Sequence, residues 1–143
     1  MKNEKFESLV QFVKFGIVGV ANTAVDWVVF YLLVNMISDL NHSIAKAISF
    51  TVAMLNSYLW NTIWTFNKEY KKAAANGSEK TAIFMKFIVV SLVGWGVNVL
   101  AYSWSASHIN LEIVNADLLP LVLASGAAIM WNFFANKLWT YKK

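Results

Sequence analysis

A single acidic residue lies in the middle of the first long apolar stretch of the chain. Asp26 follows Asn22 by four residues, so both side chains project from one face of a helix. An acid at the centre of a lipid-spanning helix costs about 2.5–3.5 kcal/mol, and such residues mark places where polar cargo or protons bind. Two structural interpretations compete with that role: an ion pair with Lys46, and a protonated acid held by hydrogen bonds.

Polar residues recur at the same interval of four as Ser57–Asn61 and Asn132–Asn136, and in the third apolar stretch Asn98 follows Gly94 at that interval. Because this spacing keeps a pair on one helix face, we expect four polar stripes, one per helix, to converge on one polar interior. The lysines expected at the cytoplasmic mouth of this track are Lys14, Lys86 and Lys137. The competing interpretations are hydrogen bonds between neighbouring helices, at about 0.6 kcal/mol each, and lysines that only extend towards the interface.

The composition indicates an integral membrane protein. The chain has 143 residues, of which 58% are hydrophobic and 14% charged, against about 25% charged in soluble domains. The twelve basic residues are all lysines that flank apolar stretches, which favours a membrane over nucleic acid as the partner. The chain has no cysteine and two separated histidines, so we expect no disulfide framework, no metal site and no cofactor.

Four segments are long and apolar enough to cross a bilayer, which takes about 20 residues. They are Phe15–Ile37, Ile44–Phe66, Ile83–Ala106 and Leu118–Tyr141. Eleven lysines lie before span one, between spans two and three or in the first turn of span three, or in the last turn of span four and after it, whereas Lys46 alone lies towards the other side. The positive-inside rule therefore predicts that the N and C termini and the loop between spans two and three are cytoplasmic. Asn41 or Ser43 is expected to cap the second helix, and Asp117 the fourth.

The chain contains an internal duplication. NTIWTF at residues 61–66 returns as NKLWTY at 136–141, and FVKFGIVGVANTAVD at 12–26 aligns without a gap with FMKFIVVSLVGWGVN at 84–98. Repeat one covers about residues 12–66, a polar cytoplasmic linker about 67–81, and repeat two about 82–141. Since each repeat holds two spans, the repeats are parallel. We therefore expect an all-α single membrane domain over residues 1–143, with four transmembrane helices as two parallel two-helix repeats.

Glycines and tryptophans have expected packing roles in this arrangement. Small residues let helices approach each other closely, and the glycines expected to do so are Gly16, Gly19, Gly94, Gly96 and Gly126. Trp64 and Trp139, one in each repeated ending, are expected to anchor at the cytoplasmic interface, where indole rings favour the mixed polar and apolar zone.

The motifs at the span ends resemble those of the GtrA-like family. Phe15 and Gly16, together with Gly19 and Asp26, resemble the family's RFxxVGxxxxxxD opening. SYLWNTIWTF and NFFANKLWTY resemble its NFxxNRxWxF span ends. The resemblance covers nearly the whole chain, including its length, its four spans and its duplication.

The resemblance implies a function, and three departures make the two halves unequal. Lys137 and Thr62 stand where the family usually has Arg, and Ser57 stands where Asn is usual. The family is associated with moving polyprenyl-phosphate-linked sugars across the bacterial plasma membrane, for cell-surface polysaccharide or teichoic acid glycosylation. No nucleotide-binding or hydrolase motif occurs, so we expect no enzyme activity from the chain on its own.

The resemblance and the polar track together predict a flippase, or a flippase subunit, for undecaprenyl-phosphate-linked monosaccharide. The side chains expected to bind this substrate are Asp26, Asn22, Asn61, Asn98, Asn132, Asn136, Lys14, Lys86 and Lys137. The expected partners are the polyprenyl-phosphate glycolipid, membrane lipid, a membrane glycosyltransferase and a second copy of the chain, with no nucleic acid. Two alternatives remain: a small proton-coupled exporter, and a non-transporting partner subunit of a membrane glycosyltransferase.

Overall fold

The computed structural model of the chain describes residues 2–37, 39–109 and 118–142. Within these ranges the chain forms helices joined by short connections and contains no β-strand, which confirms the all-α prediction. The α-helices are α1 (Lys2–Met36), α2 (His42–Trp60), α3 (Asn67–Ala73), α4 (Gly77–His108) and α5 (Leu118–Ala135). Two five-residue π-helices, π1 (Asn61–Thr65) and π2 (Asn136–Thr140), directly follow α2 and α5.

Three of the described segments are long and apolar enough to cross a membrane. They are Lys5–Met36, Gly77–Ser105 and Leu119–Thr140, and they contain or overlap the first, third and fourth predicted spans. These segments make the chain a multi-pass membrane protein. α2 overlaps the second predicted span but is not one of the three, because polar residues such as Lys46, Ser49 and Asn56 lower its mean hydropathy.

Side-chain caps fix where two of the helices begin. The Asn41 side chain accepts a hydrogen bond from the Ser43 N–H at 2.8 Å, which confirms Asn41 as the cap of α2. Asn76 and Glu79 form a reciprocal capping box at the start of α4. Most of the segment expected to be a polar linker is therefore helical, since α3 ends at Ala73 and α4 begins at Gly77. Asp117, the expected cap of the fourth span, lies outside the described residues.

The chain divides into two compact units, Met1–Lys71 and Lys72–Lys143. In the first unit, contacts pair Asp26 with Lys46, Asn22 with Asn56, and Lys14 with Trp64. Position numbers fall along α1 as they rise along α2 and π1, so α1 and α2 pack antiparallel. The buried apolar side chains of this unit include Phe15, Val18, Ala45, Ala53 and Phe66.

The second unit has the same antiparallel arrangement of two long helices. The indole N–H of Trp131 on α5 donates to the Val90 carbonyl of α4 at 3.2 Å, and Lys86 lies over the ring of Trp139. The buried apolar side chains of this unit include Ile83, Phe87, Val90, Ala124, Phe133 and Tyr141.

One of the five glycines expected to allow close helix approach has a neighbour that requires it. A Cβ atom built on Gly94 would clash with the side-chain amide of Asn132. For the other four, Gly16, Gly19, Gly96 and Gly126, no described atom lies within 4 Å of such a Cβ, so their packing role stays a prediction. Gly94 is therefore the position where the absence of a side chain lets α5 place a polar group against α4.

A pair of glycine substitutions tests this contact. Alanine is favoured over glycine in a helix by up to about 1 kcal/mol, so Gly96→Ala should raise the melting temperature of the purified protein slightly. Gly94→Ala should instead lower it, because displacing Asn132 carries an overpacking penalty of about 1–3 kcal/mol. Thermal unfolding of both variants in the same detergent measures the difference. Equal melting temperatures for the two variants would contradict the proposed close approach at Gly94.

Candidate functional site

The two copies of the repeated ending have the same unusual backbone. The Phe66 N–H donates to the Asn61 carbonyl at 2.7 Å, and the Tyr141 N–H donates to the Asn136 carbonyl at 2.9 Å. Both bonds span five residues instead of the four of an α-helix, which defines π1 and π2. Because a π-turn adds one residue to a helical turn and is frequently found at functional sites, its duplication marks these endings as candidate binding elements.

The asparagine that opens each π-helix turns its amide nitrogen towards its own helix. Asn61 donates to the Ser57 carbonyl at 2.9 Å and to its hydroxyl at 3.1 Å, and Asn136 donates to the Asn132 carbonyl at 2.8 Å. Both asparagines are 1% exposed. Their remaining polar atoms, the two Oδ1 oxygens, are buried without a hydrogen-bond partner. Each asparagine therefore has an unused acceptor oxygen for anything that binds beside it.

The threonine of each copy repeats this pattern. Thr65 in π1 and Thr140 in π2 are buried, at 4% and 0% exposure, and neither hydroxyl oxygen has a partner. Asn132 Oδ1, one turn before π2, is also buried and without a partner. An unsatisfied buried polar group costs about 1–3 kcal/mol, so these five atoms make π1 and π2, each in its own unit, candidate positions for a polar ligand.

The expected mouth lysines lie against aromatic rings. Lys14 Nζ is 5.3 Å from the centre of the Trp64 ring system, and Lys86 Nζ is 5.6 Å from that of Trp139. This cation–π contact is therefore repeated in the two units, between equivalent residues, at about 0.5–2 kcal/mol each. Lys137 also has an aromatic neighbour, since its Nζ lies 5.6 Å from the centre of the Phe133 ring. The ring partners Trp64 and Trp139 directly precede Thr65 and Thr140 in sequence, and Lys137 directly follows Asn136, so each contact includes a residue next to one with an unpartnered oxygen.

Asp26 lies in a polar cluster between α1 and α2. One carboxylate oxygen forms an ion pair with Lys46, and the other accepts a hydrogen bond from the Ser49 hydroxyl at 2.7 Å. The Asp26 side chain is 17% exposed and Ser49 is fully buried. Asp26 was interpreted as a binding residue, as the partner of Lys46, or as a protonated acid. The structure contains the contact to Lys46 that the second interpretation requires. Sequence reasoning missed Ser49, although its spacing of three from Lys46 places both on one helix face.

The other expected binding residues within the helices have different surroundings. Asn22 accepts a hydrogen bond from the Asn56 amide at 2.8 Å. Asn56 was not expected, because the repeat alignment gave Ser57 as the counterpart of Asn132. Asn98 on α4 is half-buried. The convergence of polar stripes from both repeats on one interior stays a prediction, since each unit is described by itself.

Comparisons with known proteins give a family and two relatives. The family profile described as GtrA/DPMS, transmembrane domain, matches residues 14–141. The uncharacterized membrane protein YngA of Bacillus subtilis (strain 168) is 30% identical over 129 residues, which are 90% of this chain and 77% of that protein. A dolichol-phosphate mannosyltransferase of Pyrococcus furiosus is 31% identical over 120 residues, 84% of this chain and 32% of that protein, so this chain spans about a third of that relative. No solved structure matches the chain.

A double-mutant cycle tests the Asp26–Lys46 pair. Asp26→Ala and Lys46→Ala should each lower the melting temperature, since each leaves one charge without its partner, and the double variant should recover part of the loss. We expect a coupling within about 0.5–3 kcal/mol. The control cycle uses Glu7 and Lys68, whose ion pair at 3.1 Å is largely exposed and should show almost no coupling. Additive losses at Asp26 and Lys46 would show that the pair is not a stabilising contact.

Proposed function

Because the chain belongs to the GtrA/DPMS transmembrane domain family, we propose that it is a flippase, or a flippase subunit, for a polyprenyl-phosphate-linked monosaccharide. The observation that carries this proposal is the duplicated π-helical ending. Each copy combines a buried amide oxygen, a buried hydroxyl and a lysine held over a tryptophan. A head group that joins a phosphate to a polyol needs these two kinds of partner side by side.

The proposal includes the topology. We propose four spans, with both termini on the cytoplasmic side of the bacterial plasma membrane and undecaprenyl phosphate as the carrier. The polar residues that lower the hydropathy of α2 support its place as a span, since Lys46, Ser49 and Asn56 all bond to α1. Polar groups inside a membrane are tolerated when they pair with a neighbouring helix in this way. The eleven lysines on one side set the orientation.

The proposed role of each side chain follows from whether it donates or accepts hydrogen bonds. Lysine ammonium groups supply charge-assisted hydrogen bonds, so Lys14, Lys86 and Lys137 attract the lipid phosphate. The oxygens of Asn61, Asn132 and Asn136 accept from sugar hydroxyls. Asn22, Asn98 and Asp26 form the deeper part of the track. In this proposal, a sugar hydroxyl that hydrogen-bonds to Asp26, or a proton that binds to it, replaces the ion pair with Lys46.

The carrier chain needs an apolar surface next to its phosphate, and the second unit has one. A groove of about 800 Å³ runs along α4, α5 and π2. Its lining is Val89, Val93, Met130, Trp131, Phe134, Ala135, Leu138 and Trp139. Trp139 is also the residue over which Lys86 lies. We propose that the first isoprene units occupy this groove while Lys86 contacts the phosphate.

A second candidate function is a non-transporting partner of a membrane glycosyltransferase. The similarity to about a third of the Pyrococcus furiosus dolichol-phosphate mannosyltransferase favours it, since a segment like this chain occurs there within a protein named for glycosyl transfer. In either proposal this chain binds the lipid-linked sugar, and glycosidic bonds form on a separate protein.

Movement of the glycolipid in proteoliposomes that contain this protein alone tests the proposal. The wild type should move undecaprenyl-phosphate-linked monosaccharide between leaflets. Asn132→Ala should slow the movement by about tenfold, the effect of losing one hydrogen bond of about 1.4 kcal/mol in the rate-limiting state. Asp26→Asn should also slow it. The control is Thr51→Val, whose exposed hydroxyl bonds only to the Ala47 carbonyl.

Two outcomes would contradict the flippase proposal. If Asn132→Ala and Asp26→Asn move the lipid as fast as the wild type, the polar track is not the route. The second outcome is that the wild type alone moves no lipid but co-purifies with a glycosyltransferase. If this association also survives Asp26→Asn, the partner function replaces the flippase function.

A further inference from the structure

A pocket of about 400 Å³ lies at the π1 end of the first unit. One wall is the beginning of α1, from Phe6 to Lys14, and the other is formed by π1 and the start of α3, from Ile63 to Glu69. The polar and aromatic side chains that matter here are Gln11, Lys14, Trp64, Thr65, Lys68 and Glu69. Of these residues, Lys14 was expected at the mouth of the polar track and Trp64 as an interface anchor, and neither was expected to line a pocket.

Two oxygen atoms of the pocket lining are buried without a partner. The Thr65 hydroxyl is one of them. Glu69 provides the other, because its Oε1 accepts from the Gln11 amide at 2.6 Å while its Oε2 has no partner. Both atoms belong to residues that line the pocket, so we take a ligand in the pocket as their missing partner. The gain is large for a buried acceptor, which otherwise loses its hydration without compensation.

The missing partners define the chemistry of the ligand. All buried side-chain atoms without a partner in the described parts of the chain are oxygens, and none is a nitrogen. A carboxylate oxygen such as Glu69 Oε2 accepts hydrogen bonds and donates none. An ionised phosphate also presents acceptors only, so it cannot satisfy this atom. A sugar brings several hydroxyl donors, and the Trp64 ring system provides an apolar wall for the carbon face of such a ring.

The charges around the pocket agree with a neutral ligand. Glu7 and Lys68 form an ion pair at 3.1 Å on its rim. The other two charged residues of the lining are Glu69 and Lys14, so the lining has two acids and two lysines and no net charge. A site for a bare phosphate would carry an excess of positive charge. Lys14 can still contact a phosphate that is attached to a sugar in the pocket.

We propose that this pocket receives the monosaccharide of the lipid-linked substrate, and that it distinguishes the sugar-loaded carrier from the bare carrier phosphate. The sugar's attachment to lipid rests on the proposed function. The site belongs to the first repeat, since the repeat alignment places Ile83, a buried apolar residue, at the position of Gln11. The second repeat thus has no counterpart of the Gln11 amide, which donates to Glu69 in the first repeat.

Equilibrium binding to the full chain in lipid nanodiscs tests this assignment. The probes are radiolabelled undecaprenyl monophosphate and the same lipid carrying one hexose. The wild type should bind the hexosyl form about tenfold more tightly. Glu69→Gln puts a donor in place of the acceptor and Thr65→Val removes the hydroxyl, so each should reduce the preference to about twofold. Thr81→Val, which removes an exposed hydroxyl bonded to the Gly77 carbonyl, should keep the full preference.

Three outcomes would overturn the assignment. The first is equal binding of both lipids by the wild type, and the second is an undiminished preference in Glu69→Gln and Thr65→Val. The third is displacement of the glycolipid by free hexose at equal concentration, which would make a soluble sugar the ligand. Lipid movement measured on the same samples separates this inference from the proposed function. If the protein prefers the hexosyl lipid but moves none, the pocket assignment is supported and the flippase proposal is contradicted. If it moves lipid but binds both lipids equally, the flippase proposal is supported and the pocket assignment is contradicted.

Discussion

A polar atom that leaves water inside a membrane protein must find a hydrogen-bond partner, and this requirement explains most of the described contacts. Asp26 meets it through Lys46 and Ser49, and Asn22 meets it through Asn56. The amide nitrogens of the two π-helix asparagines meet it through carbonyls of the preceding turn. The exceptions are oxygens in π1, π2 and the residues beside them, which is why we place the substrate there.

The duplication gives two similar scaffolds with different chemistry. The first unit has the ion pair on α1 and α2 and a polar pocket beside π1. The second has Asn132 packed against Gly94 and an apolar groove beside π2. A lipid-linked sugar has two ends with matching needs, since its sugar requires acceptors and its carrier chain requires apolar surface. The two units therefore differ in the kind of surface they offer, since the first has a polar pocket and the second an apolar groove.

Periodicity, caps and repeats predicted much of this structure from sequence, and they failed where one residue of register mattered. The helical segments, the Asn41 cap and the Asp26–Lys46 contact, as one of three interpretations, followed from the chain. The π-turns did not, because apolar patterns do not distinguish a five-residue hydrogen bond from a four-residue one. For the same reason, the repeat alignment pointed to Ser57, whereas it is Asn56 that donates to Asn22. The pocket was missed because Gln11 and Glu69 are 58 residues apart and Glu69 was assigned to a linker.

The central claim is that the chain carries a polyprenyl-phosphate-linked monosaccharide. Native mass spectrometry of the protein, purified from bacterial membranes in mild detergent, tests it most directly. We predict an adduct whose mass equals an undecaprenyl monophosphate with one sugar, and its depletion in Glu69→Gln. Adducts of ordinary phospholipids alone, at the same abundance in the wild type and the variant, would contradict the account.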